Sequence, residues 1–573
     1  IVLLAPLLTL WAVWQVPDGV QDTVRFLSYQ IEPVEGSPLR RLFATIFALM
    51  AFVGGLFAFR VARWQELAAA YFYAAGAIGV SFAGDLISLF VYWELMALFS
   101  TVVVWSGGTA AARAAGIRYA ILHLLGGVVL KVGIEGVVVS TGSIQITPML
   151  AEDFNSWMIL CGILINAAAP PLSAWLADAY PESSPTGSVF LSAFTTKTAV
   201  LALILLFPGE PVLIGVGLFM VMYGIIYALL ENDIRRILAY SVVNQVGFMV
   251  VAVGIGTQLA PPRAAAPASA HPTHPPPLPT SARAATDRTG RNRRPDRGGL
   301  FRTMPLTTIC CIIGALSISS FPLTSGFTTK SLISQAAANE GLVWVYMLLT
   351  AASAGVFLHA GIKFPWVGIF QKDSGLRPKD APWNMAMAIV IFSALCLLLG
   401  VFPEWLYRFL PYPVEYVAYT PGKVVFYLQL LLFSGLAFFL LLPLMKRTET
   451  ISLDVDWLWR RAAPAAAAWI LRVAESLEET AARLGSASRR ILRHVTAHYL
   501  GQPHTADREE RALFARSWPI GTTALWIAIL LSAYVLIYYI LPVETIAVSY
   551  THLEPTRLES KSRMPSWGCK RGG

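Results

Sequence analysis

The sequence predicts an all-α polytopic membrane protein with about 14 transmembrane helices, each built from roughly 20 apolar residues. Two observations predict this fold class. The 573 residues are 56% hydrophobic and only 13% charged, with a mean hydropathy of +0.60, whereas a soluble protein carries about 25% charged residues. The apolar residues are also gathered into runs long enough to cross a bilayer. Helices are expected because lipid offers backbone groups no hydrogen-bonding partner.

Candidate spans follow one another along most of the chain. The run 67–106 exceeds one crossing and is divided at Gly84-Asp85, where Asp85 is expected to cap the second helix. Because the chain opens with Ile inside an apolar run, we expect the natural N-terminus to be missing. The spans lie near 1–16, 41–60, 67–84, 85–106, 114–141, 157–178, 186–207, 211–230, 236–256, 304–323, 341–370, 384–404, 423–445 and 519–541.

Loop charges predict which ends of the spans face the cytoplasm. The spans alternate consistently from 60 to 256 and again from 304 to 541, but one crossing is missing between these stretches. The acidic loops near Glu152 and Glu210 should face outward. The basic, cytoplasmic positions are Arg60, Arg63, Arg113, Arg118, Arg235, Arg236 and the segment after Lys446.

Residues 257–303 interrupt the pattern. Ala260–Gly299 is rich in Pro, Ala and Arg, and such a segment cannot form a lipid-facing helix. A disordered cytoplasmic loop is the simple alternative, but it leaves the topology odd by one crossing. We therefore expect a corrupted segment, such as a frameshifted reading, in place of a natural helix.

Glu94 and Lys197 each lie in the middle of an apolar run. A charge at the centre of a membrane helix costs roughly 2.5–3.5 kcal/mol, and Glu94 lies about 12 Å into its span. The structural alternatives are a protonated glutamate bonded to a neighbouring helix and a static ion pair between helices. Intramembrane charges usually mark ion paths, so we predict that both residues transfer protons.

Five further residues are candidates for a proton relay. His123, Lys131 and Glu135 should lie on roughly one face of the helix 114–141, where Lys131 and Glu135 can also neutralise each other. Lys330 lies near a span end, so a structural role is an equal alternative. Its local string, Ser325–Ser331, echoes Ser192–Thr198 around Lys197, which favours duplicated halves with matching sites, although seven residues also match by chance.

Lys363 and His359 lie one turn apart in the span 341–370. Gly361 and Pro365 flank Lys363, which favours a broken helix whose freed backbone groups hold water or ions. The alternative is a lysine that snorkels to the cytoplasmic edge. We predict Lys363 as a third proton-transfer residue and His359 as part of the relay.

Other function classes are disfavoured. The five cysteines have no metal-ligand spacing, and no flavin, quinone or Fe–S motif occurs, so no metal or cofactor is expected. The net charge of +9 lies outside the apolar runs and fits cytoplasmic loops beside anionic lipid better than nucleic-acid binding.

Three ordered motifs resemble one family. GDLISLFVYWELM, PPLSAWLADAYPESSPTGSVFLSAFTTKTAV and ENDIRRILAYSVVNQVGFM are similar to the antiporter-like subunits of respiratory complex I and of Mrp-type cation/proton antiporters. The resemblance covers roughly 40–256 and 300–445 and looks closest to the D-type branch of the Mrp subunits. It implies two inverted five-helix repeats with broken helices and a proton path along the membrane mid-plane.

The resemblance also assigns residues. Glu94 matches the family's essential glutamate, Lys197 its paired lysine, and Lys363 the charge of the far half. Arg235 stands where complex I relatives carry lysine, and arginine stays protonated, so it receives no titrating role. The family's His/Lys-bearing helix should occupy Ala260–Gly299, where the sequence predicts none.

These inferences divide the chain into segments. Residues 1–66 are N-terminal helices, 67–256 and 304–445 are the two halves of the core, and 257–303 is the disrupted segment. Residues 446–518 form a cytoplasmic amphipathic segment or a linker helix against a partner subunit. Residues 519–542 form the last span, and 543–573 a foreign tail.

The sequence thus predicts a membrane subunit of a multisubunit monovalent cation (Na+)/H+ antiporter in the bacterial inner membrane. Its partners would be the other antiporter subunits, protons, monovalent cations and the lipid bilayer. The first alternative is a proton-pumping subunit of complex I or a membrane hydrogenase. The second is a non-transporting scaffold with static buried charge pairs.

Overall fold

The computed structural model describes residues 2–256, 277–289, 299–370, 373, 375–410, 416–442, 454, 457, 461–462, 465–466 and 468–476. The described residues up to Ala468 belong to one compact unit, and those from Trp469 to Ser476 belong to another. Within the described residues, nine helices are long and apolar enough to cross a membrane. The protein is therefore a multi-pass membrane protein, as predicted. The spans and tail predicted for 519–542 and 543–573 lie outside the described residues, as does most of 446–518.

The N-terminal region contains a β-hairpin that the all-α prediction missed. Helix α1, Leu4–Val13, is shorter than the predicted span 1–16. It is followed by antiparallel strands β1, Gly19–Phe26, and β2, Tyr29–Gly36. Arg40 ties the hairpin to the helices because its guanidinium binds the Glu35 carboxylate at 2.6 Å and the Ala83 carbonyl. The prediction was based on long apolar runs, so it could not detect strands that are this short and polar.

The helices of residues 38–255 follow the hairpin. Helices α2, Pro38–Ala58, and α3, Trp64–Phe82, precede α4, Leu86–Trp105, and α5, Ala110–Thr141. Asp85 caps α4 as predicted, accepting hydrogen bonds of 2.8 Å from the backbone N–H groups of Ile87 and Ser88. The remaining helices are α6, Phe154–Asn166; α7, Ala174–Ala179; α8, Gly187–Leu191; α9, Thr195–Leu206; α10, Val212–Leu230; and α11, Ile234–Ile255.

The segment predicted to lack a helix contains one. Helix α12, Pro277–Thr289, packs against α13, Pro305–Ile318. A Cβ atom at Gly314 of α13 would lie 2.3 Å from the Leu278 backbone nitrogen, so glycine permits this close approach. Our expectation considered only a lipid-facing helix. α12 is instead buried in protein, where Arg283 and Thr286 form hydrogen bonds, and its prolines stand in the first turn, which tolerates them.

The second half contains a helix that the sequence pattern did not predict. Helix α14, Ser325–Asn339, lies between the predicted spans 304–323 and 341–370. It precedes α15, Val343–Val356, which continues into π-helical turns over Phe357–Lys363 and Trp366–Phe370. Helices α16, Trp383–Val401, α17, Pro403–Phe409, and α18, Pro421–Leu440, complete the described part.

Two helix breaks share one backbone design. Ala168 after α6 and Ser320 after α13 have positive φ angles of 60° and 63°. In both, the next residue donates its N–H to the carbonyl five residues earlier, as in a Schellman end, and proline follows. By backbone geometry, the break after α6 therefore corresponds to the break after α13. The repeated sequence around Lys197 and Lys330 instead relates the break between α8 and α9 to the break after α13. The inverted arrangement of the two halves remains a prediction.

Candidate functional site

Glu94 lies in the middle of α4 and turns toward α5. It is half-buried, and its buried Oε1 atom accepts no hydrogen bond from the described residues. A Cβ atom at Gly127 of α5 would lie only 1.9 Å from Oε1. The missing side chain at Gly127 therefore makes the space that the carboxylate occupies.

His123 lies one turn before Gly127 on the same face of α5. Its Nδ1 atom lies 2.8 Å from Oδ1 of Asn166, the last residue of α6. The ring is packed between Tyr119 and Trp175, at centroid distances of 4.0 and 4.7 Å. His123 Nε2 and Asn166 Nδ2 are buried and have no hydrogen-bonding partner among the described residues. Buried polar atoms of this kind are commonly satisfied by ordered water.

Lys131 and Glu135 do not join this site. They form an ion pair with each other, and their side chains are 36% and 55% exposed, whereas His123 is buried. The prediction that all three share a functional face is therefore wrong, because eight and twelve residues turn the helix by about 80° and 120°. The self-neutralising alternative describes this pair.

A cluster of buried hydroxyl groups lies between His123 and Lys197, and the sequence analysis missed it. Tyr119 donates a hydrogen bond of 2.9 Å to Ser100 of α4. Tyr73 of α3 lies 2.5 Å from the Thr195 hydroxyl and accepts a hydrogen bond from the Thr195 backbone N–H. The cluster could have been predicted from the tyrosine and threonine residues inside apolar spans, because buried hydroxyl groups require hydrogen-bonding partners.

Lys197 follows the break between α8 and α9. Its ammonium donates a hydrogen bond of 2.5 Å to the carbonyl of Ser192. Arg283 of α12 donates to the Ser192 hydroxyl at 3.2 Å, so two cationic side chains meet at one residue. No ion pair joins Lys197 to Glu94 within the described part of the chain. Coupling between them remains a prediction and would act through the intervening polar groups.

Lys330 occupies an equivalent position after the α13–α14 break. It is 1% exposed, donates a hydrogen bond of 2.6 Å to the Ile318 carbonyl, and lies 4.7 Å from the Phe248 ring centroid. The sequence placed Lys330 near a span end, which is wrong because α14 carries it into the core. Like Lys197, it binds a carbonyl that the end of a helix leaves without a helical partner.

Lys363 and His359 lie on π-helical turns rather than on an unwound segment. His359 is buried, and its Nε2 atom lies 3.0 Å from the Ser241 hydroxyl. The half-buried Lys363 donates to the carbonyl of Leu229, the penultimate residue of α10. This contact at a helix end supports the snorkelling alternative for Lys363.

Arg235 has a structural environment. It donates to the carbonyls of Tyr180 and Ser183 in the turn that follows α7. Nearby, Arg118 binds both carboxylate oxygens of Asp178, at 2.6 and 2.9 Å. In the described ranges, no three His, Cys, Asp or Glu side chains are grouped to hold a metal ion.

Comparisons with known proteins match this architecture. Residues 83–355 match the family model "NADH:quinone oxidoreductase/Mrp antiporter, TM". The chain is 26% identical over 399 residues to the D subunit of the Na(+)/H(+) antiporter of Alkalihalophilus pseudofirmus, covering 64% of this chain and 80% of that protein. It is 28% identical over 428 residues to the N subunit of the NADH-quinone oxidoreductase of Desulforudis audaxviator, covering 68% and 84%.

A solved structure shows the same fold. A chain of the Mrp complex from Dietzia sp. DQ12-45-1b aligns with a TM-score of 0.64 and 22% identity, covering 75% of this chain and 93% of that chain. At this level of identity, the likeness establishes the fold alone.

Proposed function

We propose that this chain, an antiporter-like membrane subunit whose residues 83–355 belong to the NADH:quinone oxidoreductase/Mrp antiporter transmembrane family, moves protons in a multisubunit monovalent cation (Na+)/H+ antiporter. It would lie in a bacterial inner membrane and assemble with the other antiporter subunits. The similarity to the D subunit of a Na(+)/H(+) antiporter, together with the wording of its motifs, supports this choice.

The observation that carries the proposal is the row of buried polar groups between α4 and α9. Glu94 Oε1 and His123 Nε2 are both buried and unpartnered within the described chain. Ordered water beside such atoms would connect the carboxylate to the imidazole. The hydroxyls of Tyr119 and Thr195 would extend the connection toward Lys197, because a hydroxyl both donates and accepts.

Lys197 and Lys330 would be two coupled titrating residues, so that a change in protonation at one would affect the other. Each ammonium is held by a main-chain carbonyl rather than by a carboxylate in the described residues. Within the described ranges, no carboxylate forms an ion pair with either ammonium, so no salt bridge fixes its charge. Protonation of one member of a coupled set changes the proton affinity of the next. The sequence proposed Lys363 for the far half; we add Lys330 and favour it because it is buried whereas Lys363 is half-buried.

Substitution of Glu94 and Lys197 tests the proposal. In vesicles containing the complete complex, Glu94→Gln and Lys197→Ala should each abolish cation-dependent proton movement, measured with an entrapped pH-sensitive dye. Glu135→Gln is the matched control because its carboxylate is exposed, and it should retain transport. Normal transport by either core variant would overturn the assignment.

A proton-pumping subunit of complex I or a related hydrogenase is the second candidate. The similarity to the N subunit of an NADH-quinone oxidoreductase favours it. The neighbouring genes would distinguish the two candidates. Genes for antiporter subunits would indicate the antiporter, and genes for redox subunits would indicate complex I or a hydrogenase. If the chain is instead a non-transporting scaffold, a complex that contains the double variant Glu94→Gln/Lys197→Gln should assemble and transport normally.

A further inference from the structure

An apolar groove of about 630 Å³ opens between α2 and α16 and is closed at one end by α17. On α2, the lining positions from Arg41 to Leu49 extend over about 12 Å of helix. On α16, Leu395 and Leu399 line the opposite wall, one turn apart. The groove is therefore a channel along the helix axes, with walls of leucine and isoleucine.

Two arginines mark one end of this channel. α2 begins at Pro38, where α16 ends, so Arg41 in the first turn of α2 and Arg408 on α17 lie at the same end of the groove. Arg41 is paired with Asp18 at 2.7 Å. Arg408 is exposed and forms no ion pair within the described residues. Among the residues that the structure describes, one positive charge is therefore left without an ion pair where the apolar channel ends.

We infer that this groove binds one acyl chain of an anionic phospholipid, with the phosphate on Arg408. Arginine matches the geometry of phosphate oxygens. Exposed Trp14 and Phe409, with ring centroids 6.2 Å apart, stand at the same end, where aromatic side chains favour the headgroup level of a bilayer. The positive charge therefore lies where the lipid headgroup would be, and the apolar surface lies where the acyl chain would be.

The charge at the end of the groove favours a phospholipid over an apolar helix of a neighbouring protein. Arg408 is exposed beside the apolar channel, and a phosphate group would bind there while the acyl chain lies along the leucine side chains. An extended acyl chain is narrow enough to follow the lining of α2 for about 12 Å.

Native mass spectrometry of the delipidated full chain tests the inference, using phosphatidylglycerol and phosphatidylcholine as probes. The wild type should retain phosphatidylglycerol preferentially. Arg408→Gln should lower its retention about tenfold, to the level of phosphatidylcholine, and Leu399→Trp should lower retention of both lipids by filling the channel. The controls are Arg25→Gln, an exposed arginine on the hairpin, and Leu397→Trp, an exposed leucine on α16.

Unchanged phosphatidylglycerol retention in Arg408→Gln would overturn the inference, as would equal losses in the controls. A dimer mass that disappears in Leu399→Trp would also overturn it, because a second copy would then cover the groove. Arg408 lies on the surface, so its variant decides the question even where Leu399→Trp does not fold.

Discussion

Replacing Gly127 with alanine should displace the Glu94 carboxylate without removing it. A Cβ atom at position 127 lies 1.9 Å from Glu94 Oε1, and real Cβ atoms essentially never approach a heavy atom closer than 3.0 Å. The oxygen must therefore move by at least 1.1 Å, the difference between these distances. The carboxyl group is kept while its position changes.

The expected effect falls on transport rather than on stability. Turning the glutamate side chain away from its preferred rotamer costs about 1 kcal/mol, and alanine in place of glycine within a helix offsets about the same amount. A displacement of about 1 Å slows reactions of positioned groups by up to about 100-fold. We expect transport to fall at least about tenfold, with the free energy of unfolding changed by less than about 1 kcal/mol.

The assay is the initial rate of cation-dependent proton movement in vesicles that contain the whole complex, with thermal unfolding measured in parallel. Gly215→Ala on α10 is the control, because a Cβ atom there meets nothing within 4 Å. It should retain the wild-type rate. A Gly127→Ala variant with the wild-type rate would refute the reasoning that the position of this carboxylate matters.

Three further outcomes are expected. Lys363→Ala should retain most of the transport rate in the same vesicle assay, since its ammonium ends at the edge of α10; a loss as large as that of Lys330→Ala would restore Lys363 to the relay. Asp85→Ala should destabilise the purified chain by about 2 kcal/mol, seen as a lower thermal midpoint, and an unchanged midpoint would contradict the cap. Asp178→Asn should cost about 1–2 kcal/mol in the same measurement, because it removes a charge that binds the one-third exposed Arg118; an Asn variant as stable as wild type would show that the ion pair contributes nothing.

Much of the helical framework was predictable from local chemistry. The spans containing Glu94 and Lys197 and the cap at Asp85 were found because apolar length, isolated charge and capping residues are local signals. The β-hairpin was missed because it is short and polar.

The candidate site was less predictable because its members come from separate helices. The prediction grouped His123 with Lys131, although eight residues separate them by about 80° around the helix; His123 contacts Asn166, and Lys131 is partly exposed. α12 was missed because hydropathy reports whether a helix can face lipid and says nothing of one buried in protein. Its Arg283 then meets Lys197 at Ser192, a contact between distant segments.

The sequence by itself determined that this is a polytopic membrane protein with charges inside its spans. Those conclusions follow from the energy of placing each residue in lipid, which depends on residue type and run length. Only the tertiary structure decided that Lys330 is carried into the core on α14, and that Gly127 shapes the space around Glu94. These facts depend on which helix ends and faces meet, which no local pattern specifies.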